Sequence, residues 1–156
     1  MIALCRIDDR LVHGQVAFTW VPALGINHLI VANDQVAGDE FQKLALGLAA
    51  PRGVTQRIMT VEGAVAFLND PASTPLKILV LVKDVPDAAR LARDVPAVTS
   101  INFGGIRSRE GGSHVSKAVA LTEGDIALVK ALLEKGIELE VRQVPTDTRQ
   151  RLENLL

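Results

Sequence analysis

The run Leu76-Lys77-Ile78-Leu79-Val80-Leu81-Val82 is almost uninterrupted apolar. A stretch of that kind reads as a β-strand covered on both faces, the signature of a parallel sheet buried between helices. Outward from it, runs rich in Val, Ile and Leu alternate with segments of helical period. Strands are expected near 2–8, 28–33, 55–60, 77–83, 98–103, 115–120 and 137–143. Helices are expected near 14–24, 37–49, 61–69, 86–94 and 122–135, with a last amphipathic helix over 147–155. Thr122, with Asp125 three residues on, marks a helix start, and Lys135-Gly136 marks its stop. This alternation predicts an α/β fold. We expect a single three-layer domain over 1–156, with a mostly parallel central sheet of about seven strands flanked by helices.

Composition narrows the function classes. The chain has 156 residues, of which 48% are hydrophobic, enough for a sizeable core and against disorder. Lys and Arg number 17 against 18 Asp and Glu, a net charge of −1 that lacks the basic excess of a nucleic-acid binder. No apolar run reaches the length of a membrane span, and the first residues lack a signal-peptide pattern. The single Cys5 reads as buried packing, and a cytoplasmic protein is expected. The carboxylates form no convincing metal cluster and no Cys/His ligand spacing occurs, so neither metal nor cofactor is expected.

The stretch Asp8-Asp9-Arg10-Leu11-Val12-His13-Gly14-Gln15 joins the first expected strand to the first expected helix. Ligands of open α/β sheets bind outside the carboxyl ends of the strands, which is where His13 falls. The adjacent helix start offers unpaired N–H groups and partial positive charge to an anion. Gly14 lets that backbone approach closely, and the Gln15 N–H is a further candidate phosphate donor. Arg10 supplies a fork of donors for phosphate oxygens. Imidazole is a competent nucleophile near neutral pH. On loop composition alone, a solvated or neighbour-bonded histidine remains an open alternative. Neither a Walker spacing nor GxGxxG is present, which weakens a nucleotide- or flavin-binding reading.

The string Arg6-Ile7-Asp8-Asp9-Arg10-Leu11-Val12-His13-Gly14-Gln15-Val16, followed by Trp20, resembles the IIB component of mannose-type sugar phosphotransferase systems (PTS), which include mannose, fructose, sorbose and N-acetylgalactosamine branches. Ile30-Val31-Ala32-Asn33-Asp34 looks like that family's second strand, and Ser100-Ile101-Asn102-Phe103-Gly104-Gly105 like its Asn-hydrophobic-Gly-Gly loop. The resemblance spans the chain and implies that His13 is the phosphorylated residue. It would accept a phosphoryl group from the histidine of a IIA protein and pass it to a sugar bound by the membrane IIC and IID proteins. Arg10 matches the arginine of the family's active loop. Asp9 matches the preceding acid and is assigned to orienting Arg10 or the imidazole. The chain is expected to be a free-standing IIB, cytoplasmic and peripheral to the inner membrane through IIC and IID. Val12, Phe103 and Pro22 depart from the family pattern, and Pro22 is expected to shorten the first helix.

The remaining readings are local. Gly104 and Gly105 are assigned backbone N–H groups that shape the phosphate pocket, with a tight turn as the alternative. Arg107 and Arg109 stand on the rim of the glycine-rich stretch 104–113 and are assigned to steering a partner. Arg6, a charge inside a strand, needs an acid near the loop. Lys83-Asp84 reads as a structural ion pair, Asp34 as a loop tie, and His28 and His114 as structural and loop residues. A second function class stays open: a regulatory binding module in which the same phosphohistidine reports sugar flux without sugar transfer.

Overall fold

The computed structural model describes residues 1–107 and 109–156. The apolar run from Leu76 enters a strand at Ile78 that lies inside a seven-stranded sheet. In chain order the strands are β1 (Ile2–Ile7), β2 (His28–Ala32), β3 (Thr55–Met59), β4 (Ile78–Val82), β5 (Ser100–Phe103), β6 (Ser113–His114), β7 (Ala120–Leu121), β8 (Glu138–Val141) and β9 (Gln150–Arg151). The sheet runs β3-β2-β4-β1-β5-β8-β9. Every pair is parallel except β8 with β9, which is antiparallel.

Successive β4 side chains point to opposite faces, and each face has its own core. Ile78, Val80 and Val82 join the cluster under α4 (Val61–Asn69), α5 (Val85–Asp94) and α6 (Glu123–Glu134). Leu79 and Leu81 join Val16, Trp20, Val21 and Val36 on the other face, beneath a helical run over 14–24 and the short α2 (Asp34–Ala37). Three layers result, as expected for a strand with no polar face. Cys5, in the middle of β1, is buried, and burial pushes its thiol up to about 12.

Capping explains where helices begin. Thr122 and Asp125 form a reciprocal capping box on α6. The expected helix over 37–49 is two pieces: Asn33 caps α2 and Asp39 caps α3 (Glu40–Leu48), with the chain re-aimed at Gly38. Asp34 accepts from the Val61 N–H at 2.9 Å, tying the end of β2 to the start of α4. Lys83 and Asp84 form no ion pair. Asp84 instead caps α5 by accepting from the Asp87 N–H at 3.0 Å, a better use for a carboxylate at a helix start.

Pro22 does not shorten the first helical run. The run opens into a π-turn over Val16–Trp20, in which the Val21 N–H donates to the Val16 carbonyl five residues back. It resumes as α1 (Val21–Leu24), with Pro22 directly after the π-turn, where the wider turn has already interrupted the regular i→i−4 bonding.

Two expected elements differ. The segment 115–120 is not a sheet strand: β6 and β7 pair antiparallel as a separate ribbon, with most of that segment forming its turn. The segment 147–155 is not a helix. It holds β9, paired with β8, and a single 3₁₀ turn over Leu152–Leu155.

Candidate functional site

β1 sits between β4 and β5, so its carboxyl end faces the switch in strand order where α/β sheets bind ligands. The loop after β1 is fastened on both sides. The Asp8 N–H donates to Val82 O at 2.9 Å, and the Asp9 N–H to Gly105 O at 2.8 Å. A turn closes when the Leu11 N–H donates to Asp8 O at 2.9 Å. Leu11 then takes φ +58, a left-handed conformation rare for a branched apolar residue, while its side chain stays buried. This reversal brings His13 back over Asp8.

Asp8 is the hub. Its side chain is wholly buried. Oδ2 accepts from His13 Nε2 at 2.9 Å and from the Arg6 guanidinium at 3.2 Å. Oδ1 accepts from the Arg10 backbone N–H at 3.1 Å and from Arg10 Nε at 3.3 Å. Burial alone would raise this carboxyl. The hydrogen bond and charge of His13, the Arg10 N–H and the charge of Arg6 outweigh it and hold the group down to about 2. Asp8 is therefore ionised and can only accept. The proton of a neutral His13 ring lies on Nε2, and the lone pair lies on Nδ1.

His13 keeps 14% of its side chain exposed and Arg10 keeps 35%, so both reach solvent from a common carboxylate. The helical run starts immediately after the imidazole, and the Ala17 N–H donates to His13 O at 3.0 Å. The amides of Gly14, Gln15 and Val16 thus precede the first carbonyl able to receive them within the helix. The Gln15 side chain accepts from Arg10 at 3.4 Å. A basic guanidinium, a helix N-terminus and an imidazole whose Nδ1 keeps its lone pair together suit the transient holding of a phosphoryl group.

Other expected site residues fall differently. Asp9 orients neither Arg10 nor the ring. Its carboxylate accepts from the Arg107 N–H at 2.9 Å and from Arg107 Nε at 3.2 Å, because it points away from the face that Arg6 and Asp8 share. The Gly104 N–H is committed to Ile7 O at 2.9 Å and cannot serve a phosphate. Gly104 is required for another reason: a Cβ there would lie 2.4 Å from the Arg6 guanidinium. Gly105 borders the site, with Asp8 Oδ1 3.7 Å and Arg10 3.9 Å from where its Cβ would stand. Arg109 donates to Asp125 at 3.2 Å and is engaged with the α6 cap. Ser108, inside the glycine-rich stretch, lies outside the described residues. His28 bonds Asn27 at 2.7 Å and His114 bonds the Arg107 carbonyl at 3.0 Å, and neither bonds His13.

Asp8 is the residue that sequence reasoning left off the site. A signal for it existed: Arg6 and Asp8 are two apart, so they share one strand face, and a buried arginine demands an acid. A groove of about 860 Å³ runs beside the site, lined by Gly14, Phe18, Pro22, Leu48 and Pro51 among others, but His13 is not part of it. Among the described residues no helix is long and apolar enough to cross a membrane.

Comparison with known proteins gives the family and the fold. The family model described as "PTS system sorbose subfamily IIB component" matches residues 2–156. The mannose-specific EIIAB component of the PTS of Escherichia coli K12 is 38% identical over 156 residues, covering 100% of this chain and 48% of that protein. The chain thus spans about half the length of that relative. The sorbose-specific EIIB component of Lacticaseibacillus casei is 33% identical over 94% of this chain and 90% of its own. The crystal structure of the IIBSor domain of the sorbose permease from Klebsiella pneumoniae superposes with a TM-score of 0.93 at 32% identity, over 99% of this chain and 95% of that one. A match along nearly the whole chain, to family model and solved fold alike, places this protein in the sorbose subfamily of PTS IIB components, the sugar phosphotransferase modules.

Proposed function

We propose that the protein is a phosphoryl carrier in which His13 is the phosphorylated residue, forming a single IIB domain over 1–156. The observation that carries the reading is the pairing of His13 Nε2 with the buried, ionised Asp8, which leaves Nδ1 as the nucleophilic nitrogen. Nδ1 attacks the phosphorus of a phosphohistidine on a IIA partner. The new P–N bond forms as the donor's P–N bond breaks, and the donor ring keeps the electron pair. Arg10 and the first amides of the helical run stabilise the charge on the equatorial oxygens. Asp8 balances the positive charge that the ring acquires. The group then passes to a hydroxyl of a sugar held by membrane IIC and IID partners: the sugar oxygen bonds phosphorus, His13 leaves with its electron pair, and the hydroxyl proton goes to a base of the acceptor assembly. On this reading the protein works in the cytoplasm, against the inner membrane. Arg107, exposed at the rim and tied to Asp9, steers partners toward the site.

The test is His13→Gln. The variant should remain folded, as its circular dichroism would show, and lose labelling by phosphorylated IIA completely. Full labelling of a folded His13→Gln protein would refute the assignment.

A further inference from the structure

Arg6 occupies an unusual position for a charge. It lies inside β1, wholly buried, with its guanidinium 5.3 Å from the centre of the Trp20 ring. Arg142 covers the same ring at 4.9 Å, and Trp20 Nε1 donates to Gln143 O at 2.9 Å. Gly104 closes on Arg6 so tightly that a Cβ there would lie 2.4 Å from the guanidinium and force it to shift. Within this slot all the terminal nitrogens are used. Nη1 donates to Asn102 Oδ1 at 2.6 Å and to Arg142 O at 3.0 Å; Nη2 donates to Asp8 Oδ2 at 3.2 Å and to Gln143 O at 3.2 Å. Asn102 in turn donates to Glu140 Oε1 at 3.1 Å, which also receives Arg142 at 3.3 Å. A continuous chain of bonds therefore leads from Glu140 on β8, through Asn102 and Arg6, to the oxygen that holds His13.

We propose that Arg6 is a positioning residue for phosphoryl transfer, locked by Asn102, Glu140, Trp20 and Gly104 so that it fixes the Asp8 carboxylate and, through it, the orientation and tautomer of the His13 ring. The inference rests on the phosphoryl-carrier reading of His13. The backbone at Asp8 is fastened, but without Arg6 on Oδ2 the carboxylate could turn about its side-chain bonds, and the imidazole with it; small misplacements of a reacting group cost large factors in rate. The planar fork of arginine is what the slot requires. A lysine keeps the charge but cannot bond Asp8, Asn102 and two carbonyls at once.

The experiment uses the IIA part of the mannose-specific E. coli relative, phosphorylated, as donor, with ¹⁵N spectra of His13 as a second readout. Arg6→Lys should lower the rate at saturating donor by about tenfold or more, with KM unchanged and with the Nδ1–H tautomer appearing beside Nε2–H. Gly104→Ala, which presses on the guanidinium and leaves every charge in place, should do the same. Glu140→Gln should cause a smaller loss with the same spectral change, and it covers the case in which the first two variants do not fold. Folded variants with an unchanged tautomer, or with rates within about twofold of the parent, overturn the proposal. Failure of the parent to accept phosphate would instead strike the carrier reading, and the spectra would still decide whether Arg6 sets the ring.

Discussion

Asp8 receives bonds from His13, Arg6 and Arg10 on one buried carboxylate. Its folded value of about 2 lies below the ordinary carboxylate value, so its ionised form stabilises the fold. That contribution, about 2 kcal/mol, is complete above about pH 4 and disappears as pH falls through about 2. Urea titrations across this window should show the parent losing that amount, and Asp8→Asn should show no corresponding loss. At neutral pH the variant should be less stable by about 3–5 kcal/mol, since Arg6 would be left as a buried charge without its anion. The site was legible in part. His13 and Arg10 stand out by their place after the first strand. The division of labour between Asp8 and Asp9 does not, because adjacent acids in a loop look equivalent until the fold sets one against His13 and the other against Arg107.

Among the elements, α5 carries a small conflict. Asp87 is half-buried in its first turn, and its carboxyl is pushed up to about 6 by burial and by the charges of Asp84 and Asp34, with Arg90 opposing. A raised folded value means that the native state is favoured while the group is protonated, and that this advantage fades as pH rises through about 6. Asp87→Asn should therefore stabilise the protein at pH 8 by about 1 kcal/mol, after allowance for solvent screening, and leave it unchanged near pH 4. Melting temperatures at the two pH values check this. The helices were legible because caps and periodicity agree, as at Thr122 and Asp125. The C-terminal segment was not: Leu152 and Leu155 have helical spacing, yet Arg149 pairs with Glu138 at 3.1 Å and Arg151 registers against Glu140, and these partners from β8 hold the chain extended. Residues 115–120 end in a short apolar run, Ala118-Val119-Ala120, but a run of that length cannot distinguish a member of the main sheet from a separate ribbon.

At the scale of the molecule, β4 reads correctly from its own residues because a strand buried on both faces has no polar alternation to disguise it. Both cores depend on β4, because its side chains enter each in alternation. Leu81→Ala should cost about 2–5 kcal/mol, visible as a lowered urea midpoint. Cys5 lies in the neighbouring central strand, in register with Val80, with a thiol that is both sealed and protonated at any ordinary pH. A reagent such as an alkylating probe meets that sulfur only when the middle of the sheet comes apart. The chain therefore carries its own chemical clock: the speed at which this one sulfur is consumed counts the excursions of the whole structure into its open form.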